Sequence, residues 1–480
     1  VYKRQIHILC SNGNGKFLNP LLISNEISGQ VKELKVADYD GDGDLDIFAS
    51  SENNRIQLLR NEGGNINNFI KVKLTGLRTG SGKNNYFGIG SKIELKAGDI
   101  YQIKYVDEPV SHFGIGEELN ADVLRVVWSN GVPQNRFKPR KNQTIVEKQI
   151  LKGSCPYLFG WSGNQFEFIT DVLWPSALGM PLGIMAGEPL FAFPNSTDEY
   201  LRVPGEKLKM KDGYYSLKFT TELWETPYLD NIKLVAIDHP KDMHVYVNET
   251  FVPPPFPPSR VYGFKTKFLP IAAIDGQGND QLQKISYQDD EHIANLHSEM
   301  YQGVTALHDL ILTFNDLSNS DSLFLFLQGW LFPTDASINV NLSQSNKLNS
   351  IFPFLQVPNE NGNWITVVDN MGFPKGKNKT MIIDLTDKFI TNDHRVRIRT
   401  NMQIYWDHIF IASDVSENVF NKTELSPIYA DLQYRGFSEL DKKDYGSPHI
   451  PDYYSITQGQ KWRDLIGYYT KYGDVLSLLL

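Results

Sequence analysis

Aspartate residues are concentrated in one short stretch of the chain, residues 38–46, with the sequence DYDGDGDLD. Five carboxylates at alternate positions repel one another unless a cation neutralises them. Oxygen ligands at this density suit Ca²⁺, which binds about 6–8 oxygens. The two glycines of the stretch allow the backbone to turn tightly around an ion. We therefore predict a calcium-binding loop whose ligands come from Asp38, Asp40, Asp42, Asp44 and Asp46.

The loop begins like an EF-hand, but the rest of the EF-hand pattern is missing. An EF-hand needs a glutamate at its twelfth position, and Ala49 lies there. It also needs flanking helices, whereas the apolar residues on both sides of this loop alternate with polar ones, as in strands. We predict a loop between two strands, in which Asp44 contributes its carbonyl and the other four aspartates their side chains. A solvated acidic turn without a metal is the alternative.

The segment from Val36 to Gly64, VADYDGDGDLDIFASSENNRIQLLRNEGG, resembles the FG-GAP/VCBS repeat, the calcium-loop blade of integrin-like β-propellers. Residues 6–17 resemble the end of a preceding repeat. Repeats of this kind need neighbours to bury a core. The resemblance therefore implies that residues 1–64 are part of a propeller and that the chain is a fragment. Residues 1–5 resemble a translated adaptor sequence, and we expect them to be an artefact.

The next segment, residues 65–150, alternates apolar and polar residues at 70–74, 93–95 and 101–105, which predicts half-buried strands. The tetrapeptide Phe-Gly-Ile-Gly occurs twice in it, and a Trp-Ser-Asn-Gly element predicts a turn. The order of these elements resembles the ASPIC/UnbV domain, which commonly follows FG-GAP repeats in cartilage acidic protein and in bacterial secreted proteins. The resemblance implies a bacterial module that is extracellular, on the cell surface or periplasmic, without established chemistry.

The remainder of the chain is also rich in strand patterns, and we divide it into β domains at 151–260 and 261–480. The run LFLFLQGWLF, residues 323–332, predicts a strand that is buried on both faces. One long strand is predicted from Arg395 to Asp407, with a β-bulge at His408, where the alternation changes phase. These patterns together resemble a jelly-roll sandwich of the galactose-binding type.

The polar side of the predicted strand 395–407 carries guanidinium, amide, phenol and carboxylate groups, which suit the hydroxyl groups of sugars. We therefore predict a ligand-binding face, with Trp330 as a stacking surface for a sugar ring. Its residues are Arg397, Arg399, Asn401, Tyr405, Asp407 and Trp330. An ordinary solvent-facing strand surface is the alternative.

Composition excludes several classes of function. The 480 residues include 12% aromatic residues, which favours β structure. The net charge of −9 argues against nucleic acid as a partner, and no apolar run is long enough to span a membrane.

Motifs for nucleophilic or zinc-dependent hydrolysis are absent from the sequence. Three histidines, at 292, 297 and 308, lack the spacing that brings them together on a helix. We therefore assign no catalytic residue. We expect an all-β, calcium-stabilised, extracellular protein that binds glycans or other proteins in adhesion. The alternative is a polysaccharide-active enzyme whose site lies in the C-terminal region.

Overall fold

The computed structural model describes the chain with gaps. The described residues are 6–10, 16–23, 30–52, 55–76, 84–129, 133–149, 156–172, 181–185, 188–191, 199–222, 229–252, 257, 259–294, 296–299, 301, 303–315, 317, 322–332, 334, 339, 342–343, 345–417, 420–441, 449–458 and 470–479. The chain divides into two compact units. The first comprises residues 1–76 and 84–149, and the second comprises residues 77–83 and 150–480.

The described part of the first unit consists of strands and one short 3-10 turn, Gly64–Ile66. In chain order the strands are β1 (His7–Ile8), β2 (Leu21–Leu22), β3 (Val31–Ala37), β4 (Asp46–Ser51), β5 (Ile56–Leu59), β6 (Asn68–Thr75), β7 (Lys92–Ala97), β8 (Ile100–Tyr105), β9 (Ser111–Gly116), β10 (Val123–Val127), β11 (Pro133–Phe137) and β12 (Gln143–Lys148).

These strands form small sheets. Strands β3, β4 and β5 pair in that order as an antiparallel meander, and β1 pairs with β2. The following strands form a four-stranded sheet, β11-β10-β7-β8, and a three-stranded sheet, β12-β6-β9, in which β12 and β6 are parallel. One apolar core joins these two sheets, with Ile70 and Phe113 from the smaller sheet packed among Leu95 and Leu124 from the larger one.

The described part of the second unit is also almost entirely β. Its helical elements include one short helix, α1 (Leu282–Ile285), and a 3-10 turn, Leu476–Leu478; Asn339, Leu342 and Ser343 are also helical. The first strands are β13 (Tyr157–Trp161), β14 (Phe166–Asp171), β15 (Pro181–Met185), β16 (Glu188–Phe191), β17 (Met210–Lys211), β18 (Tyr214–Tyr215), β19 (Leu217–Thr220), β20 (Leu234–Asp238), β21 (His244–Val247), β22 (Thr250–Phe251), β23 (Val261–Phe264), β24 (Thr266–Phe268) and β25 (Ala272–Asp275).

The later strands include the longest of the described chain. They are β26 (Val304–Thr313), β27 (Leu323–Leu331), β28 (Phe354–Pro358), β29 (Trp364–Val368), β30 (Phe373–Pro374), β31 (Lys379–Asp384), β32 (Arg395–Met402), β33 (Ile404–Ser413), β34 (Ser416–Glu417), β35 (Asn421–Leu425), β36 (Asp431–Leu432), β37 (Phe437–Asp441), β38 (Ile450–Thr457) and β39 (Gly473–Asp474). The expectation of an all-β fold is confirmed.

A β-sandwich lies at the centre of the second unit. A five-stranded sheet, β25-β26-β32-β28-β29, packs against a four-stranded sheet, β24-β33-β27-β31, and the pairing is antiparallel throughout. Leu310 and Ile398 of the larger sheet share one apolar cluster with Leu325 and Ile409 of the smaller sheet. Alternating apolar residues on facing strands fill such an interface.

Strand β27 is buried on both of its faces, as the sequence predicts. Leu325 and Leu327 point into the sandwich core. Phe326 points the other way, into a second cluster that includes Tyr246 and Phe264 of the sheet β21-β23-β34. The smaller sheet of the sandwich is therefore covered on both sides, which explains the nearly continuous apolar run of β27.

The prediction of one continuous strand from Arg395 to Asp407 is wrong. The chain leaves the five-stranded sheet after Met402 and enters the four-stranded sheet at Ile404. Arg397, Arg399 and Asn401 therefore lie in a different sheet from Tyr405 and Asp407. Alternation continues across the change of sheet because each strand has one face in the shared core.

The bulge predicted at His408 is confirmed. In the pairing of β27 with β33, Gln328 lies opposite His408 and Gly329 opposite Trp406, so Asp407 is the extra residue. A Cβ atom at Gly329 would lie 2.7 Å from the Trp406 ring. Glycine at this position therefore allows the two strands to approach closely at the bulge.

Strands on the two sides of the predicted boundary at residue 260 pair with one another, for example β21 with β23 and β20 with β35.

The predicted hairpin at Asp212 and Gly213 joins β17 to β18, and both residues have positive φ, as its turn type requires. No helix among the described residues is long and apolar enough to cross a bilayer.

Candidate functional site

The aspartate-rich stretch forms the loop between β3 and β4 in the first unit. Asp38, Asp40 and Asp42 each place one carboxylate oxygen within 4.8 Å of the other two. The structure thus brings together three of the five predicted ligand residues. Converging carboxylate oxygens are the donor set of a hard divalent cation.

Backbone N–H groups hold the loop in its curled form. The carboxylate of Asp38 accepts hydrogen bonds from the N–H of Gly41 (2.7 Å) and the N–H of Gly43 (3.0 Å). Both glycines have positive φ, +80° and +102°. A side chain at Gly43 would also overlap the ring of Phe69. The predicted role of these glycines in the tight turn therefore has a local structural basis.

Asp46 lies at the start of β4, with its carboxylate fully buried. Oδ2 accepts the N–H of Tyr39 (2.9 Å), and Oδ1 accepts the N–H of Asn61 (2.8 Å). The side chain of Asp46 therefore ties the loop to the chain that follows β5, and it lies outside the group formed by the first three aspartates.

Asp44 is also buried. One of its oxygens, Oδ2, accepts the N–H groups of Gly64 (3.0 Å) and Asn65 (3.2 Å). The other, Oδ1, is buried without a hydrogen-bond partner. Burial raises the pKa of the Asp44 carboxyl, because the charged form loses its hydration. This unpaired oxygen is available as a side-chain ligand for a metal ion. The sequence analysis predicted the carbonyl of Asp44 as the ligand instead.

Two basic residues offset part of the negative charge. Arg60 Nε lies 2.6 Å from Asp40 Oδ2, and Lys71 pairs with Asp38. The charge of Asp40 raises the pKa of Arg60, whereas a hydrogen bond from the N–H of Asp44 lowers the pKa of Asp42. The three clustered carboxylates thus face two cations, which leaves a net negative charge for a bound metal ion to neutralise.

The loop also contacts the sheet β12-β6-β9 of the same unit. His112 Nε2 donates a hydrogen bond to the Gly43 carbonyl at 2.8 Å, and the imidazole stacks on Phe69 at 5.5 Å between ring centroids. Burial lowers the pKa of His112, so the neutral ring is favoured. These contacts fix one side of the aspartate loop against strands β6 and β9.

Two arginines of the predicted ligand face form hydrogen bonds with side chains of neighbouring strands in the same sheet. Arg399 of β32 forms two hydrogen bonds with Asp309 of β26, at 2.6 and 2.9 Å. Arg397 donates from Nε to Gln356 Oε1 at 2.7 Å and lies over the ring of Trp364. Cross-strand pairing therefore already uses the donors that were predicted to bind sugar hydroxyls.

The other residues of that face are buried. Asn401 donates a hydrogen bond to the Asn349 carbonyl at 2.8 Å, and its own oxygen accepts the N–H of Ile351. Tyr405 belongs to an aromatic cluster with Trp330, whose side chain is only 1% exposed. The expectation that Trp330 offers a stacking surface to a sugar is therefore wrong, because aromatic residues of β13 and β14, among them Tyr157 and Phe168, cover its ring.

Asp407 lies close to two residues that the sequence analysis did not select. One oxygen of Asp407, one oxygen of Asp290 and one ring nitrogen of His292 all lie within 4.8 Å of one another. Burial raises the pKa of Asp407 to about 7, with the charge of Asp290 as a smaller contribution. The available signal was the Asp-x-His spacing at 290–292, which keeps a carboxylate and an imidazole close together in the chain.

In a comparison with known families, residues 80–150 match the family described as ASPIC and UnbV. Neither the curated proteins nor the solved structures contain a match to the chain. The matched residues include strands β7 to β12 and most of the core shared by the two sheets. This region of the chain is therefore an ASPIC/UnbV domain.

Proposed function

We propose that this chain is part of a calcium-stabilised binding protein that acts outside the cell or in the periplasm of a bacterium. The observation that carries the proposal is the convergence of Asp38, Asp40 and Asp42, in the same loop as the orphaned oxygen of Asp44. Ca²⁺ fits this set because it accepts many oxygen ligands in a flexible geometry. In this proposal the ion fixes the conformation of the aspartate loop. The loop in turn holds the ASPIC/UnbV domain in place through the hydrogen bond between His112 and the Gly43 carbonyl.

The meander β3-β4-β5 supports the proposal that residues 1–64 come from an FG-GAP/VCBS propeller. The loop lies between its first two strands, as in a blade of that type. Apolar side chains of the meander are exposed, among them Leu34, Val36 and Ile56. In a propeller, neighbouring blades cover such residues.

The binding surface that we propose is a stripe on β8 of the ASPIC/UnbV domain. Tyr101, Ile103 and Tyr105 alternate along this strand and are 58%, 49% and 72% exposed. Strand β8 is the last strand of its sheet in the described structure. Tyrosines beside an exposed aliphatic residue are typical of protein-binding surfaces. Since a sheet edge can also pair with an added strand, we propose that the partner is a protein that presents an extended segment.

Glycans are less well supported as ligands, because the predicted sugar-binding residues are either buried or paired. The polysaccharide-active alternative requires two carboxylates facing an open cleft with aromatic subsites. Asp290 and Asp407 are close enough for such a pair, but Trp330 and Tyr405 beside Asp407 are buried. We therefore favour a protein partner over both alternatives.

Calcium binding is tested by calorimetric titration of the purified chain after removal of bound metal with a chelator. We expect Ca²⁺ to bind the wild-type chain and to raise its melting temperature. Asp40→Asn should abolish both effects, because it removes one converging carboxylate. Asp107→Asn is the matched control, since Asp107 is an exposed residue of the same unit. Identical responses of wild type and Asp40→Asn would contradict the calcium site.

Partner binding is tested by applying the labelled chain to arrays of secreted bacterial proteins and of glycans. We expect protein signals that are lost in the double variant Tyr101→Ser, Tyr105→Ser and weakened by a calcium chelator. The control is Tyr214→Ser, Tyr215→Ser, which alters two exposed tyrosines of a hairpin in the second unit. Signals confined to glycans, or cleavage of the arrayed glycans, would support the other two functions instead.

A further inference from the structure

Three metal-ligand side chains meet in the second unit, far from the aspartate loop in sequence. Asp290 and His292 come from the segment after α1, and Asp407 comes from β33. Within this group, one donor atom of each residue lies within 4.8 Å of the other two. Such an arrangement of one nitrogen and two oxygen donors is compact enough for a single ion.

The backbone brings the two segments together. The N–H of Ile293 donates to the Trp406 carbonyl at 2.8 Å, and the N–H of Asp289 donates to Asp407 Oδ1 at 3.3 Å. The segment 289–293 thus runs beside β33 at its bulge. Because Asp407 is the extra residue of that bulge, its side chain is directed differently from those of a regular strand.

The imidazole of His292 points to a missing ligand. The residue is 6% exposed, and its Nδ1 is buried without a hydrogen-bond partner. Trp330 and Tyr405 surround it edge to face, at 6.3 and 6.4 Å between ring centroids. A buried polar atom without a partner is unfavourable unless a ligand satisfies it.

The negative charge at this site also lacks compensation. Asp407 is 3% exposed, and no lysine or arginine of the described chain forms an ion pair with it. Lys284 approaches the neighbouring segment, but its ammonium is bound to the His292 carbonyl at 3.2 Å. Buried carboxylates are normally paired or bound to a metal.

The donor types select the class of ion. Imidazole nitrogen favours first-row transition metals, whereas Ca²⁺ and Mg²⁺ prefer oxygen alone. Three protein ligands leave at least one position of a tetrahedral ion open. Because Asp290 is exposed, the open position is expected on the solvent side of the group.

We propose that Asp290, His292 and Asp407 form a binding site for a divalent transition metal, for which Zn²⁺ is the natural probe. The ion joins the segment after α1 to the bulge of β33 and satisfies the charge of Asp407. The site is independent of the calcium loop, since it lies in the other unit and differs from the loop in its ligand types.

The test uses the full chain, freed of metal by a chelator and then saturated with Ca²⁺ so that the aspartate loop is occupied. Titration with Zn²⁺ should show one further site, and Co²⁺ in its place should give the visible absorption of a nitrogen- and oxygen-bound ion. His292→Gln should weaken Zn²⁺ binding by about 100-fold or more, since even residues that only support a ligand contribute 10–100-fold. His297→Gln, an exposed histidine of the same segment, should bind as the wild type does.

Asp290→Asn keeps the proposal testable if the His292 variant fails to fold. Asp290 is exposed and has a φ of +62°, a conformation that asparagine tolerates well. This variant should fold normally and still lose Zn²⁺ affinity. Absence of a Zn²⁺ site in the Ca²⁺-saturated chain, or unchanged affinity in folded Asp290→Asn, would overturn the proposal.

Discussion

Lys71 forms an ion pair with Asp38, although the two residues lie on opposite sides of the predicted domain boundary at residue 65. Lys71 is a residue of β6, and its ammonium also lies over the ring of Phe69. The same carboxylate belongs to the group that could hold a metal ion. A fixed cation and a bound metal therefore compete for the charge of Asp38.

Lys71→Met should increase the affinity of the loop for Ca²⁺. The ammonium repels an incoming cation and occupies an oxygen of Asp38, and methionine keeps the apolar part of the side chain. We expect tighter Ca²⁺ binding together with a lower melting temperature in the absence of metal. Calorimetry and thermal unfolding with and without Ca²⁺ measure the two effects.

The matched control for this substitution is Lys73→Met. Lys73 lies two residues further along β6, has a similar degree of burial, and forms no ion pair in the described structure. Its replacement should leave Ca²⁺ affinity unchanged. An equal effect of the two substitutions would mean that the general charge of β6, and not the Asp38 pair, sets the affinity.

Asp46→Ala should destabilise the first unit whether or not Ca²⁺ is present. The carboxylate accepts the N–H groups of Tyr39 and Asn61, and its loss leaves both without partners. Each buried unsatisfied group costs about 1–3 kcal/mol. Urea unfolding in chelator should therefore show a loss that Asp40→Ala does not produce. If the loss appears only with Ca²⁺ present, Asp46 acts chiefly as a metal ligand.

Sequence patterns gave a sound basis for the fold wherever the cause was local. Alternation predicted the strands, the Asp212-Gly213 pair predicted its hairpin, and the phase change at His408 predicted the bulge. Each of these features depends on a few neighbouring residues. The ASPIC/UnbV domain was also evident, because its glycine-containing elements occur in a characteristic order.

Contacts between segments that are distant in the chain could not be predicted from local sequence patterns. The change of sheet at Gln403 leaves the alternation intact, so Arg399 and Tyr405 were placed on one face although they lie in different sheets. The meeting of His292 with Asp407 depends on how the segment after α1 packs beside β33. Periodicity along the chain contains no information about such packing.

Lys379→Met should strongly destabilise the second unit. Lys379 is 1% exposed, donates to the Asp171 carbonyl at 2.7 Å and pairs with Glu249 at 3.4 Å. Burial raises the pKa of Glu249, so its charge depends on the lysine. Removing one member of a buried pair typically costs about 3–5 kcal/mol, and urea unfolding measures the loss.

The double variant Lys379→Met, Glu249→Gln separates charge from packing. Glutamine retains an acceptor for the N–H of Thr380, which Glu249 now binds at 3.0 Å, but it carries no charge. We expect the double variant to recover much of the stability that the single variant loses. A double variant as unstable as the single one would show that the hydrogen bond from Lys379 to Asp171 is the larger contribution.

His408 should make the stability of the second unit depend on pH. Burial lowers the pKa of His408 to about 3, and Lys267 contributes further. Its Nδ1 donates to Gln328 Oε1 at 3.0 Å, and its Nε2 is buried without a partner. The native protein therefore holds a neutral ring, whereas the unfolded chain takes up a proton below pH 6.5. Because the unfolded state then binds more protons, stability is complete above pH 6.5 and is lost as the pH falls towards 3.

Substitution of His408 separates its contribution to the pH dependence of stability from the contributions of other buried histidines. Between pH 6.5 and pH 5 the expected loss is roughly 2 kcal/mol, at about 1.4 kcal/mol per pH unit. Urea unfolding at pH 7 and pH 5 should show a smaller loss in His408→Gln than in the wild type. His297→Gln should retain the full loss, since His297 is exposed. If His408→Gln keeps the wild-type dependence on pH, the His408 ring is already protonated in the native protein at pH 5.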